Sequence, residues 1–88
     1  MKTRPVLELY VTRGCSACRR AERTLRHCER IRQLADLVVI DMGADGAMRP
    51  PGVIGGPTTV FEGAVVALGT PDCAELADRL ETLVGVKG

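Results

Sequence analysis

The chain has 88 residues, 45% of them apolar but only Tyr10 and Phe61 aromatic, with 12 Lys or Arg against 11 Asp or Glu. That length suits one domain, expected to span residues 1–88, with a small core. No apolar run approaches a membrane span of roughly 20 residues, and without an aromatic platform the cations argue against nucleic-acid binding.

The start, Met1-Lys2-Thr3-Arg4-Pro5, lacks the small-residue cleavage site of a secretory signal, so a cytoplasmic protein is expected. The four cysteines fit that reading as reduced thiols, because Cys28 and Cys73 fall inside amphipathic helical patterns. The near-neutral charge hides an asymmetry. Residues 1–32 carry nine Lys or Arg against three Glu, and the remainder carries three against eight acids.

Val6-Leu7-Glu8-Leu9-Tyr10-Val11 reads as a buried strand, apolar on both faces except at Glu8. A short loop, Thr12-Arg13-Gly14, leads to Cys15-Ser16-Ala17-Cys18. From about Ser16 the apolar period becomes helical through Ala21, Leu25, Cys28, Ile31 and Ala35, which predicts one helix to about Ala35. Arg19, Arg23, Arg26 and Arg30 line another side of it. Leu37-Val38-Val39-Ile40 reads as a second strand ending at Asp41.

Residues 42–56 hold at most one helical turn, stopped by Pro50-Pro51-Gly52 and Gly55-Gly56. Pro57 opens a third strand, Thr58-Thr59-Val60-Phe61, and Glu62-Gly63 makes a two-residue hairpin into Ala64-Val65-Val66-Ala67-Leu68. Thr70 or Asp72 then caps a last helix, with Glu75 placed for a capping box and Gly85 as its end.

The order strand, helix, strand, loop, strand, strand, helix predicts an α/β fold. A right-handed crossover makes the first two strands parallel. The hairpin fits most economically with the third strand antiparallel to the first, giving the order 2-1-3-4. Pro57 then comes to lie beside Cys15.

A C-x-x-C between a strand and a helix reads as a redox dithiol. Its first cysteine sits at a helix N-terminus, where free N–H groups and the helix dipole favour a thiolate. Arg13, Arg19 and Arg20 flank the pair, close enough to act on Cys15 or on an acidic partner surface. Mild oxidation is expected to link Cys15 to Cys18 and to leave Cys28 as a core thiol and Cys73 free, with Cys73 a candidate accessory thiol. Zinc would need four ligands, and no second C-x-x-C supplies them; His27 projects away from the apolar side of its helix. Glu8 is a candidate base for Cys18, depending on which sheet face it takes.

The C-x-x-C after the first strand, the Pro in Gly56-Pro57-Thr58-Thr59-Val60-Phe61 and the hairpin before a final helix together resemble the thioredoxin superfamily. Tyr10-Val11-Thr12-Arg13-Gly14-Cys15-Ser16-Ala17-Cys18 is most similar to a small glutaredoxin. The resemblance implies a thioredoxin-like fold in which the helix between the second and third strands is reduced or missing. It implies a thiol–disulfide oxidoreductase, with Cys15 as nucleophile and Cys18 as resolving thiol. It also implies a cis peptide before Pro57 and a substrate groove formed by Arg13, Gly56, Pro57, Thr58 and Asp72. With no side chain at Gly56 the groove beside Cys15 is expected to be open, so that enlarging Gly56 hinders bulky substrates first.

No cofactor or metal is implied beyond glutathione as a possible reductant. The implied partners are a disulfide-containing protein or small thiol, and glutathione or a reductase as electron donor, with the chain acting as a monomer. The sequence departs from the family in lacking Cys-Gly-Pro-Cys and Cys-Pro-Tyr-Cys, and Gly69-Thr70-Pro71-Asp72 matches the glutathione-binding turn only in part. Two other readings remain: a metal- or metalloid-binding thiolate module, and a non-catalytic interaction domain on the same fold.

Overall fold

The computed structural model describes residues 4–42 and 56–87, with side chains through Val84. The expectations for residues 43–55, including the reduced or missing helix, lie outside the described residues. Seven elements follow in chain order: β1 (Val6–Val11), α1 (Ser16–Arg26), α2 (Glu29–Leu34), β2 (Asp36–Asp41), β3 (Thr58–Phe61), β4 (Ala64–Leu68) and α3 (Cys73–Lys87). The sheet has the order β2-β1-β3-β4, as the strand pattern predicts.

The central strand is β1. It pairs in parallel with β2 from Val6↔Asp36 to Val11↔Asp41. It pairs antiparallel with β3 from Leu7↔Phe61 to Tyr10↔Thr58. Alternation along β1 then sorts its side chains. Leu7 and Leu9 join Ala21, Leu25, Ile31, Leu76, Ala77 and Leu80 in the main core, so all three helices contribute to the same side of the sheet. Tyr10 faces the other way and packs with Val60 and Met42. Full burial of an aliphatic side chain such as Leu7, Leu9 or Leu25 contributes about 1.5–3 kcal/mol each.

Glu62 and Gly63 both have positive φ, 50° and 85°, as a two-residue hairpin requires. A bulge between Thr59 and Val60 shifts the β3–β4 register, so Thr59 faces Ala67 while Val60 faces Val65. At the other end of the sheet Arg4 ties the chain start to the α2–β2 junction. Its Nε bonds Asp36 Oδ1 at 2.9 Å, and its Nη2 donates to the carbonyls of Arg32 and Ala35. Those are carbonyls at a helix C-terminus that lack intrahelical partners.

Three expectations are corrected. The single helix to Ala35 is two helices, broken at His27–Cys28, where Cys28 takes extended backbone angles (φ −91°, ψ 98°). The apolar period runs unbroken across this joint because Leu25, Cys28 and Ile31 all stay buried, so the pattern conceals the break. Gly85 does not end α3, which runs to Lys87; a glycine inside a helix costs only about 1 kcal/mol against alanine.

The largest correction concerns the thiols. Cys28 and Cys73 are joined in a disulfide, with Cα atoms 5.8 Å apart. The bridge fastens the α1–α2 joint to the first residue of α3, and no free cysteine remains. Next to it, Arg30 of α2 reaches Asp78 and Glu81 of α3 at 2.6 and 3.0 Å.

Two stability measurements follow from this packing. The Cys28–Cys73 bridge spans a sequence separation of 45 residues, and chain entropy assigns closure of such a loop about 4 kcal/mol. The double variant Cys28→Ser/Cys73→Ser should lose about 2–4 kcal/mol in denaturant unfolding without reductant, and an unchanged midpoint would refute the bridge. Thr59 Oγ1 is buried with no hydrogen-bond partner among the described residues. Thr59→Val removes an unsatisfied hydroxyl and should raise stability by about 1 kcal/mol in the same assay.

Candidate active site

The dithiol sits where β1 hands over to α1. The helix begins at Ser16, and Cys15 is its N-cap, with extended backbone angles (φ −97°, ψ 106°). An N-cap side chain normally offers oxygen to the free N–H groups of the first turn. Here the acceptor is sulfur: Cys15 Sγ accepts the Cys18 N–H at 3.0 Å, while the Cys15 carbonyl accepts from Arg19 N–H at 3.2 Å. No acid occupies the first turn of α1. A negative charge on Cys15 Sγ would therefore meet a hydrogen-bond donor and the positive end of the helix dipole.

Cys15 and Cys18 form a disulfide, with Cα atoms 5.2 Å apart. The two sulfurs have different surroundings. Cys15 is part-exposed, whereas Cys18 is only 3% exposed. Among the described residues no group of three His, Cys, Asp or Glu side chains is placed to hold a metal ion.

The Gly56–Pro57 peptide is cis, as the resemblance implies. Its setting corrects the expectation for Gly56. A Cβ at Gly56 would stand 2.9 Å from Cys18 Sγ and 3.2 Å from both the Tyr10 carbonyl oxygen and Val11 Cα. The missing side chain thus makes room for the inner sulfur and the end of β1. It does not widen an open groove beside Cys15.

Pro57 and Thr58 are buried, and Thr58 lies in register with Tyr10 on one side and Leu68 on the other. Gly69 N–H donates to the Pro57 carbonyl at 2.9 Å, which draws the β4–α3 connection alongside Pro57.

Other candidate residues have local partners. Arg13 is 85% exposed at its side chain and stands 3.9 Å from Asp41, at the end of β2; such exposed pairs contribute little. Asp72 Oδ1 accepts the Glu75 N–H at 3.1 Å and so caps α3, as one of the two candidates for that position. It also lines a groove between β4 and α3 with Thr70, Pro71 and Arg79.

Glu8 does not serve Cys18. It lies on the Tyr10 side of β1, away from the core that holds the helices, and accepts the Tyr10 hydroxyl at 3.1 Å. Burial first, and then the Glu8 carboxylate, raise the Tyr10 pKa above its usual value.

The close approach at Gly56 generates a direct test. Gly56→Ala forces a methyl into a space bounded by backbone, which cannot yield cheaply, and overpacking of this kind costs about 1–3 kcal/mol. Thermal or denaturant unfolding of the variant should show that loss. Full stability would mean that the Cys18 sulfur and the end of β1 are not held against Gly56.

No protein-family model matches the chain, and no curated protein matches it in sequence. Among solved structures it is similar to thioredoxin from Aeropyrum pernix, with a TM-score of 0.64 at 19% identity, covering 91% of this chain and 75% of that one. The sheet order, the cis-proline and the dithiol agree with that likeness: the chain has the thioredoxin-like fold, with a disulfide-forming Cys15–Cys18 pair at the start of α1.

Proposed function

We propose that the protein is a thiol–disulfide oxidoreductase that works through Cys15 and Cys18. The observation that carries this reading is the asymmetry of the pair. Cys15 Sγ caps the helix and accepts the Cys18 N–H, while Cys18 is buried against Gly56.

In the reducing direction, Cys15 thiolate attacks one sulfur of a substrate disulfide. One substrate thiolate leaves and takes up a proton, and a Cys15–substrate mixed disulfide forms. Cys18, deprotonated, then attacks Cys15 Sγ and expels the second substrate thiolate. The substrate gains two electrons and two protons, and the protein keeps the Cys15–Cys18 disulfide. The short Cys15–Cys18 spacing makes this second step intramolecular.

Glutathione or a reductase would return the two electrons. Pro57, with its carbonyl held by Gly69, provides the wall against which an extended substrate segment would lie. The second bridge, buried at Cys28, is proposed to be structural and to stay oxidised through turnover. Its presence also removes the support that reduced thiols had lent to a cytoplasmic location.

Turnover of a neutral small disulfide, bis(2-hydroxyethyl) disulfide, tests the reading. Cys15→Ser should abolish it, and Cys18→Ser should stop after the first step with a trapped mixed disulfide at Cys15. Turnover that survives Cys15→Ser would end the proposal. A pH series adds an independent check. Alkylation of reduced Cys15 should reach its midpoint below the value of about 8.5 for a free thiol, with Cys18 labelled much more slowly. A midpoint at the free-thiol value would instead favour a structural pair.

A further inference from the structure

The described arginines divide into two groups. Arg4, Arg13, Arg26 and Arg30 each have a carboxylate within 4 Å: Asp36, Asp41, Glu22, and Asp78 with Glu81. Arg19, Arg20, Arg23, Arg32 and Arg79 are exposed and have no ion pair among the described residues; Arg32 lies on α2 and Arg79 donates to the Val66 carbonyl, which leaves Arg19, Arg20 and Arg23 together on α1. Their positions are not scattered.

Ser16, Arg19, Arg20 and Arg23 follow the i, i+3, i+4, i+7 spacing of one helical stripe. The opposite stripe of α1, formed by Cys18, Ala21 and Leu25, is buried. The exposed stripe begins at the residue after Cys15. With a rise of 1.5 Å per residue, Arg19 and Arg23 lie about 6 and 12 Å along the axis from it. The one acid of α1, Glu22, is held by Arg26 at 2.8 Å and so does little to neutralise the stripe. The positive end of the helix dipole adds to the same field.

We infer that this stripe selects the substrate: the Cys15–Cys18 site acts on protein disulfides whose flanking segment is acidic, and Arg19, Arg20 and Arg23 hold that segment along α1. The inference rests on the proposed exchange reaction and leaves its chemistry unchanged, with two electrons passing from the dithiol to the substrate disulfide. Charge complementarity decides the occupant. An acidic segment extending from a disulfide at Cys15 meets three unneutralised cations within about one and a half Debye lengths at physiological salt. A basic segment meets repulsion at the same positions. Steering of this kind changes association rates by about tenfold or more and weakens with salt.

The test uses three disulfide-linked peptides of equal length, acidic, neutral and basic around the cystine, mixed with the fully reduced Cys15–Cys18 form of the intact chain. At low salt the second-order rate should be highest for the acidic peptide, by about tenfold over the neutral one, and lowest for the basic one. High salt should erase the differences. In the triple variant Arg19→Gln/Arg20→Gln/Arg23→Gln, the ratio of acidic to neutral rates should fall to near one.

Equal rates for all three peptides with the wild-type chain would overturn the selection while leaving the exchange reaction intact. A variant in which acidic and neutral rates drop together would show that the arginines act on Cys15 and not on the substrate, and would also overturn it. Tight binding of a short DNA duplex, without any preference among the peptides, would assign the stripe to nucleic acid instead. If no peptide reacts faster than with Cys15→Ser, it is the oxidoreductase reading that fails.

Discussion

The antiparallel pairing of β3 with β1 is the constraint on which the rest of the molecule depends. It places the start of β3 against the end of β1, with Thr58 opposite Tyr10. Two chain segments far apart in sequence meet there, and α1 begins at the same point. The meeting is tight enough that only glycine fits at position 56, because a Cβ would intrude on Cys18 Sγ and on the backbone of Tyr10 and Val11. The site is therefore a product of strand register, and a slip of one residue would send every β3 side chain to the wrong face.

That geometry makes two cysteines of one tetrapeptide chemically unlike. Cys15 projects from the helix end, where a backbone N–H meets its sulfur. Cys18 turns inward, into the space left by Gly56. The two disulfides differ in the same way. Cys15–Cys18 closes a local turn and has a part-exposed sulfur. Cys28–Cys73 joins remote elements, with Cys28 fully enclosed. Local closure with access suits exchange, whereas long-range closure in the core suits stabilisation.

Charge is divided along similar lines. Arg4 and Arg30 act as fasteners, one holding the chain start to the α2–β2 junction and the other holding α2 to α3. On α1 the arginines beyond the Glu22–Arg26 pair have no such task among the described residues, and they lie next to the dithiol. An overall charge of +1 conceals this separation, because eight of the eleven acids lie after residue 32.

By itself the sequence determined whatever depends on local period and local chemistry. The apolar run Val6–Val11, the Glu62-Gly63 turn and the position of Cys15 before a helix could each be read from neighbouring residues, and the strand order followed from the right-handed crossover and the most economical placement of the hairpin. Tertiary structure alone decided three things. Cys28 and Cys73 look like ordinary core residues at helical spacing, and only the folding of α3 against the α1–α2 joint brings them within bonding reach. Alternation puts Glu8 on the same face of β1 as Tyr10, but only the packing of the helices on the Leu7 and Leu9 face decided that this is the face away from Cys18. The need for glycine at 56 is invisible along the chain, because the atoms that exclude a Cβ belong to Tyr10, Val11 and Cys18, some 40 residues earlier. Contacts within a turn or a strand are encoded by spacing, but contacts between elements exist only once the core has set their distance.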